Sequence, residues 1–184
     1  MCGHVCACVC LCVSVCLCVC LCHELFSPIH TVAVPVVPSY DGHFYAVISG
    51  SRSLADAATQ ASRLTFNGMQ GYLASITTPQ EYNFVMWNLR PHYVWVDISD
   101  QATEGTWRLT AGPDAGRTTA FLPWASTEPN GGRGENCVVL AYFGYIDYPC
   151  STPDSYDFLV EFECASPAVV WGGGCVRTCD CRFD

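Results

Sequence analysis

Trp124-Ala-Ser-Thr-Glu128-Pro129-Asn130-Gly-Gly-Arg-Gly-Glu135-Asn136-Cys137 places two carboxylates and two side-chain amides on a short stretch rich in glycine. Glycines let the backbone curl, so these oxygens can turn inward on a common point. Hard cations such as Ca²⁺ take about six to eight oxygen ligands from carboxylates, amide carbonyls and water. A loop of this composition can wrap one. The bond before Pro129 can adopt cis at small cost, which would aim the Glu128 and Asn130 side chains the same way. A polar surface turn is the competing reading of the motif taken alone, because short motifs recur by chance.

The flanking chain carries more. Upstream runs Val94-Trp95-Val-Asp-Ile98-Ser-Asp100-Gln-Ala-Thr103-Glu104-Gly105-Thr-Trp107-Arg108. Downstream follow Cys137-Val-Val-Leu140, Tyr145-Ile146-Asp147-Tyr-Pro-Cys150 and Phe158-Leu-Val160-Glu161. In this order and spacing the segment from Gly42 to Glu163 resembles the C-type lectin-like domain family, with an EPN-type carbohydrate recognition loop. Trp95–Ile98 matches the WIGL-type strand, Thr103–Trp107 the TEGTW turn, and Tyr145–Asp147 a degenerate WND strand. The resemblance implies an α+β fold: two helices flanking two small antiparallel sheets, with a long calcium-binding loop region. The implied boundaries are a Cys/Val-rich, signal-like segment at 1–22, a linker at 23–40, the lectin-like domain at 41–164 and a Gly/Cys-rich tail at 165–184.

The order of elements agrees. His43–Ile48 alternates and reads as a strand. Ser53 caps a helix over 54–64, where Leu54, Ala57, Ala58, Ala61 and Leu64 fall at helical spacing and Asn67-Gly68 ends it. Tyr72–Ile76 is a short apolar strand. Thr78 caps a second helix through Leu89, with Pro79 at its first position and Glu81 completing a capping box before Pro91 stops it. Short strands and glycine-rich loops follow, a helices-then-strands order that indicates α+β.

Composition narrows the function. The 184 residues carry a net charge of −9 and no lysine, which disfavours a nucleic-acid partner. The cysteines fall into three groups: nine in 1–22, three at Cys137, Cys150 and Cys164, and three at Cys175, Cys179 and Cys181. The near-alternating tract from Val5 to Cys22 has three readings. It is a signal peptide or membrane anchor without the usual basic start, a thiolate metal cluster, or a translated dinucleotide repeat. Residues 23–40 hold three prolines and read as a linker or leading strand. The tail is a flexible appendage, with a disulfide to Cys164 as one option.

The family likeness assigns the site. Its Ca²⁺ and sugar ligands map to Glu128, Asn130, Glu135 and Asp147, with Ile146 in place of the expected asparagine. EPN implies mannose, glucose, fucose or N-acetylglucosamine-type ligands, on glycoproteins or cell surfaces. Ile146 removes one metal oxygen and one donor to sugar, so weakened calcium affinity is expected. A second calcium site maps to Asp100, Glu104 and Asn136, with Gly131 where a further ligand usually stands. Cys137 and Cys150 match the inner disulfide, worth roughly 3 kcal/mol for a loop near 15 residues, and an oxidising, extracellular setting is implied. The outer disulfide positions fall on Ala61 and Val160, which replace it by apolar packing. Trp95 and Trp107 are expected in the core, and Trp124 is open.

Two rivals stand beside the lectin reading. Glu128 and Glu135 could serve as a glycosidase pair, but sharing one cation would make both poor acids, and no histidine lies in the loop region. No enzyme is expected. A calcium-independent domain of the same fold, binding protein or another ligand, is favoured by Ile146 and disfavoured by the intact Glu128-Pro129-Asn130.

Overall fold

Aromatic and β-branched residues at alternate positions after His43 draw the backbone into an extended strand that runs further than the alternation suggests. The computed structural model describes residues 7–13, 15–21, 30–31, 35–38, 42–163, 168–171 and 174–177. Its elements are β1 (Ala7–Val13), β2 (Val15–Leu21), β3 (His30–Thr31), β4 (Val37–Pro38), β5 (Phe44–Ser53), α1 (Leu54–Ala61), β6 (Leu64–Phe66) and β7 (Met69–Leu73). They continue with α2 (Pro79–Asn88), β8 (Val94–Ser99), β9 (Arg108–Leu109), β10 (Cys137–Ala141), β11 (Gly144–Tyr148), β12 (Ser151–Phe162), β13 (Ala168–Trp171) and β14 (Gly174–Arg177).

The architecture is α+β, as the sequence implies. Two antiparallel ladders form its body. One gathers β5 and β7 around β12, and the other runs β9, β8, β10 and β11 in that spatial order. A short parallel pairing of β8 with β12, Asp157 opposite Val94, joins them into one continuous sheet. The linker supplies two edge pieces: β4 pairs with β5 and β3 with β6. The Cys/Val tract doubles back as an antiparallel pair, from Ala7 opposite Leu21 to Val13 opposite Val15. No helix among the described residues is long and apolar enough to cross a membrane. Cys164, Cys179 and Cys181 lie outside the described residues, and with them the question of a tail disulfide.

Both helices start where the sequence places them. Ser53 accepts from the Asp56 amide at 3.0 Å, and Thr78 accepts from Glu81 at 3.2 Å. Ser53→Ala is expected to cost about 1 kcal/mol of stability, read as a lower midpoint in denaturant. The first helix is shorter than expected, ending at Ala61, because Leu64–Phe66 finds a β partner. Asn67 and Gly68, both at positive φ, turn β6 into β7 as a two-residue hairpin and do not cap a helix. The predicted strand at Tyr72–Ile76 is accordingly shifted to Met69–Leu73. Glu81 makes no reciprocal bond to its cap. Its carboxylate is buried, accepting from Tyr45 Oη at 2.7 Å and from the Thr77 amide at 2.8 Å.

Two apolar clusters hold the sheet and helices together. The first contains Ala61 and Val160, both fully buried, so the positions of the absent outer disulfide lie in one packed core. The second contains Trp107 and packs Trp124 against its edge. Trp124 meets Trp107 at 4.9 Å between ring centres and Tyr145 at 6.2 Å, which settles it as a packing residue. Trp95 is fully buried and donates to the Ser51 carbonyl.

Candidate functional site

The loop bearing Glu128 is fastened to β11 just ahead of Asp147. Tyr145 donates its amide to the Pro123 carbonyl at 2.9 Å and accepts from the Ala125 amide at 2.8 Å. That approach leaves no space for a side chain at Gly144: a Cβ there would stand 2.8 Å from both Ala125 N and Pro123 O, at φ +133°. Behind the loop, the Cys137–Cys150 disulfide ties β10 to the segment after β11, with Cα atoms 5.0 Å apart.

Glu128-Pro129 is cis, and Asn130 Nδ2 donates to Glu128 Oε1 at 2.8 Å. Asp147 is buried and acts as the anchor. Its carboxylate accepts the Asn130 amide at 3.0 and 3.1 Å and the Gly131 amide at 2.8 Å. Glu135 follows a short 3₁₀ turn at Gly132–Gly134 and folds back over Gly131, where a Cβ would meet its Oε2 at 2.1 Å. Of the residues expected at the first site, Glu128, Asn130 and Asp147 are thus joined by hydrogen bonds, and Glu135 lies beside them. Ile146 neighbours Asp147 on β11 and adds no polar atom.

The charges explain what this cluster lacks. Burial, the hydrogen bond with Asp147 and the charges of Asp147 and Glu135 push the Glu128 carboxyl up to about 7. Burial and the Asp147 charge also raise Glu135. Burial would raise Asp147 too, yet the hydrogen bonds from Glu128 and from the Gly131 and Asn130 amides hold it below the usual carboxylate range. Three acids thus crowd one another, and Glu128 Oε2 is buried with no donor. Like carboxylates in one place favour a shared proton or a cation. The oxygen-only donor set fits a hard divalent ion.

The second expected site is assembled less well. Asp100 Oδ2 accepts from the Gly105 amide at 2.7 Å, and Oδ1 is buried without a partner. Asn136 turns its Nδ2 to the Arg133 carbonyl at 3.0 Å, and only its main-chain oxygen receives the Asp100 amide. Glu104 and Asn136 line an open depression that Arg133 also lines. A guanidinium there opposes a second metal ion, and Gly131 offers no ligand. Sequence reasoning passed over Arg133 and the Asn130 and Gly131 amides; the glycine run after Asn130 is the signal that the amides are free to turn inward.

The model of the lectin C-type domain family matches residues 56–156. The chain belongs to the C-type lectin domain family. Halomucin of Haloquadratum walsbyi is 29% identical over 68% of the chain and 2% of its own length. The alpha-N-acetylgalactosamine-specific lectin of Patiria pectinifera is 28% identical over 59% of the chain and 65% of its own length. The chain thus spans less than two-thirds of either relative. Human lithostathine superposes with a TM-score of 0.57 at 20% identity, over 76% of this chain and 96% of that one, which speaks for the fold. The family is one of lectin-type binding domains and not of enzymes.

Proposed function

We propose that the lectin domain binds carbohydrate through one calcium ion held by Glu128, Asn130, Glu135 and Asp147. The observation that carries this reading is the gathering of Glu128, Asn130 and Asp147 by hydrogen bonds beside Glu135, with one Glu128 oxygen buried without a donor. Calcium would relieve the crowding of the three carboxylates and leave Asn130 Nδ2 to donate to a sugar hydroxyl, while the carboxylates accept from vicinal hydroxyls. The EPN order favours mannose, glucose, fucose or N-acetylglucosamine-type ligands with paired equatorial hydroxyls, displayed on glycoproteins or cell surfaces. The Cys137–Cys150 disulfide suits an extracellular or cell-surface location. The domain is taken to run over 41–164. A glycan-array screen of the full chain with calcium and with EGTA tests the proposal: signal abolished by chelation supports it, and signal that persists refutes it.

Ile146 favours one second reading, calcium-independent binding of a protein or other ligand. Restoring the missing oxygen separates the two. Ile146→Asn is expected to tighten both calcium and sugar by about ten- to hundredfold, the equivalent of about 1–3 kcal/mol. Unchanged titrations of both would support the calcium-independent reading.

A further inference from the structure

A separate group of ligand-type side chains lies at the other end of β12. Cross-strand pairing sets Glu161 opposite Tyr45 and Phe162 opposite Phe44, so the register carried one step further brings Glu163 beside His43. Alternation then puts His43, Tyr45, Glu161 and Glu163 on one face of the sheet. One donor atom each from His43, Glu161 and Glu163 lies within 4.8 Å of the others. His43 Nδ1 contacts Glu161 Oε1, and Nε2 stands 3.7 Å from Glu163 Oε2.

The surroundings hold these groups in place. Glu161 is 2% exposed, and its second oxygen accepts the Ser75 amide at 3.0 Å. The Tyr72 hydroxyl lies beside Glu161 and Glu163, where burial and their charges hold its proton firmly. The three residues open on a cavity of about 180 Å³ that Glu81 and Asp114 also line. Four carboxylates therefore line this space; Asp114 is partly exposed and paired with Arg117, which leaves one imidazole to oppose Glu81, Glu161 and Glu163. Buried charges of one sign call for a counter-ion. An imidazole nitrogen beside carboxylate oxygens is a donor set for zinc and its neighbours, whereas calcium takes oxygen alone.

We propose that His43, Glu161 and Glu163 bind a zinc-type transition-metal ion, at a site separate from the lectin loop. Bound there, the ion joins the start of β5 to the end of β12. That is the part of the fold in which Ala61 and Val160 occupy the positions of the family's outer disulfide. The Ser75 amide orients Glu161, as outer partners of metal ligands commonly do, and Tyr72 stands beside both glutamates.

The test is calorimetric titration of the full chain with Zn²⁺, free thiols alkylated and calcium in saturating excess, paired with thermal unfolding. One equivalent of zinc is expected to bind and to raise the melting temperature. Loss of an outer partner alone costs about 10- to 100-fold in metal affinity. His43→Gln and Glu163→Gln should therefore each weaken zinc by at least about tenfold and remove the thermal shift, while Glu128→Gln leaves both intact. Glu163 is partly exposed, so its variant carries the test should His43→Gln fail to fold. No zinc uptake overturns the proposal. So does uptake that the His43 and Glu163 variants leave unchanged, or uptake that Glu128→Gln removes.

Discussion

Asp147→Ala is expected to weaken calcium binding by at least about a hundredfold and to take sugar binding with it. Two losses add. The variant gives up one carboxylate ligand, and it also releases the Asn130 and Gly131 amides that the carboxylate holds at 2.8–3.1 Å. Hydrogen bonds to a charged acceptor are worth about 1.5–3 kcal/mol each, and a hundredfold corresponds to roughly 2.7 kcal/mol. The second loss should be the larger, because those amides set the direction of Asn130 and, through it, of Glu128. Calorimetric titration with calcium chloride checks it, alongside a circular-dichroism spectrum matching the parent. A variant that folds and titrates like the parent would remove Asp147 from the site. If the parent itself gives no heat, the four residues hold no ion and the saccharide proposal falls.

Much of this was legible in the chain. Thr78 and Pro79 begin α2 by local chemistry that needs no tertiary partner, and the structure agrees. The Glu128–Asn136 stretch announced its oxygens, since composition is all that a metal loop must show. What failed to show depends on partners distant in sequence. Leu64 continues the helical spacing of Leu54, Ala57 and Ala61, yet it packs beside the same core cluster from a strand. Periodicity cannot distinguish the two, because either route places Leu64 on the core. Asn67-Gly68 was read as the end of a helix and turns out to be a hairpin, since positive φ serves both and only the β7 partner decides. Arg133 is a lone charge among glycines in the sequence. Its place beside Glu104 and Asn136 is set by the 3₁₀ turn, which the sequence does not mark.

Asp97 is the clearest case of a residue that the sequence hides. A carboxylate between Val96 and Ile98 reads as the solvent face of an alternating strand, but β8 is covered on both sides and Asp97 is fully buried. Its carboxylate accepts from Ser75 Oγ at 2.6 Å, from the Thr110 amide at 2.6 Å and from Thr110 Oγ1. It thereby pins the loop before α2 and the segment after β9 to the centre of the sheet. Asp97→Ala should leave buried donors without an acceptor and lower stability by about 3 kcal/mol or more. The pH dependence is more diagnostic. Burial pushes the Asp97 carboxyl up to about 7, although the Ser75 and Thr110 donors pull it down. The folded chain therefore holds this proton more tightly than the unfolded chain does. The stability it confers is complete below about pH 4 and is lost as pH rises to about 7, on the order of 4 kcal/mol in all. Burial also raises Glu81, Glu128, Glu135 and Glu163, which add to the same trend, while Asp147 opposes it. Asp97→Asn keeps the shape and cannot ionise. Urea unfolding between pH 4 and 7 should fall more gently with pH in that variant than in the parent. Parallel curves would mean that Asp97 stays ionised throughout, its three donors outweighing its burial.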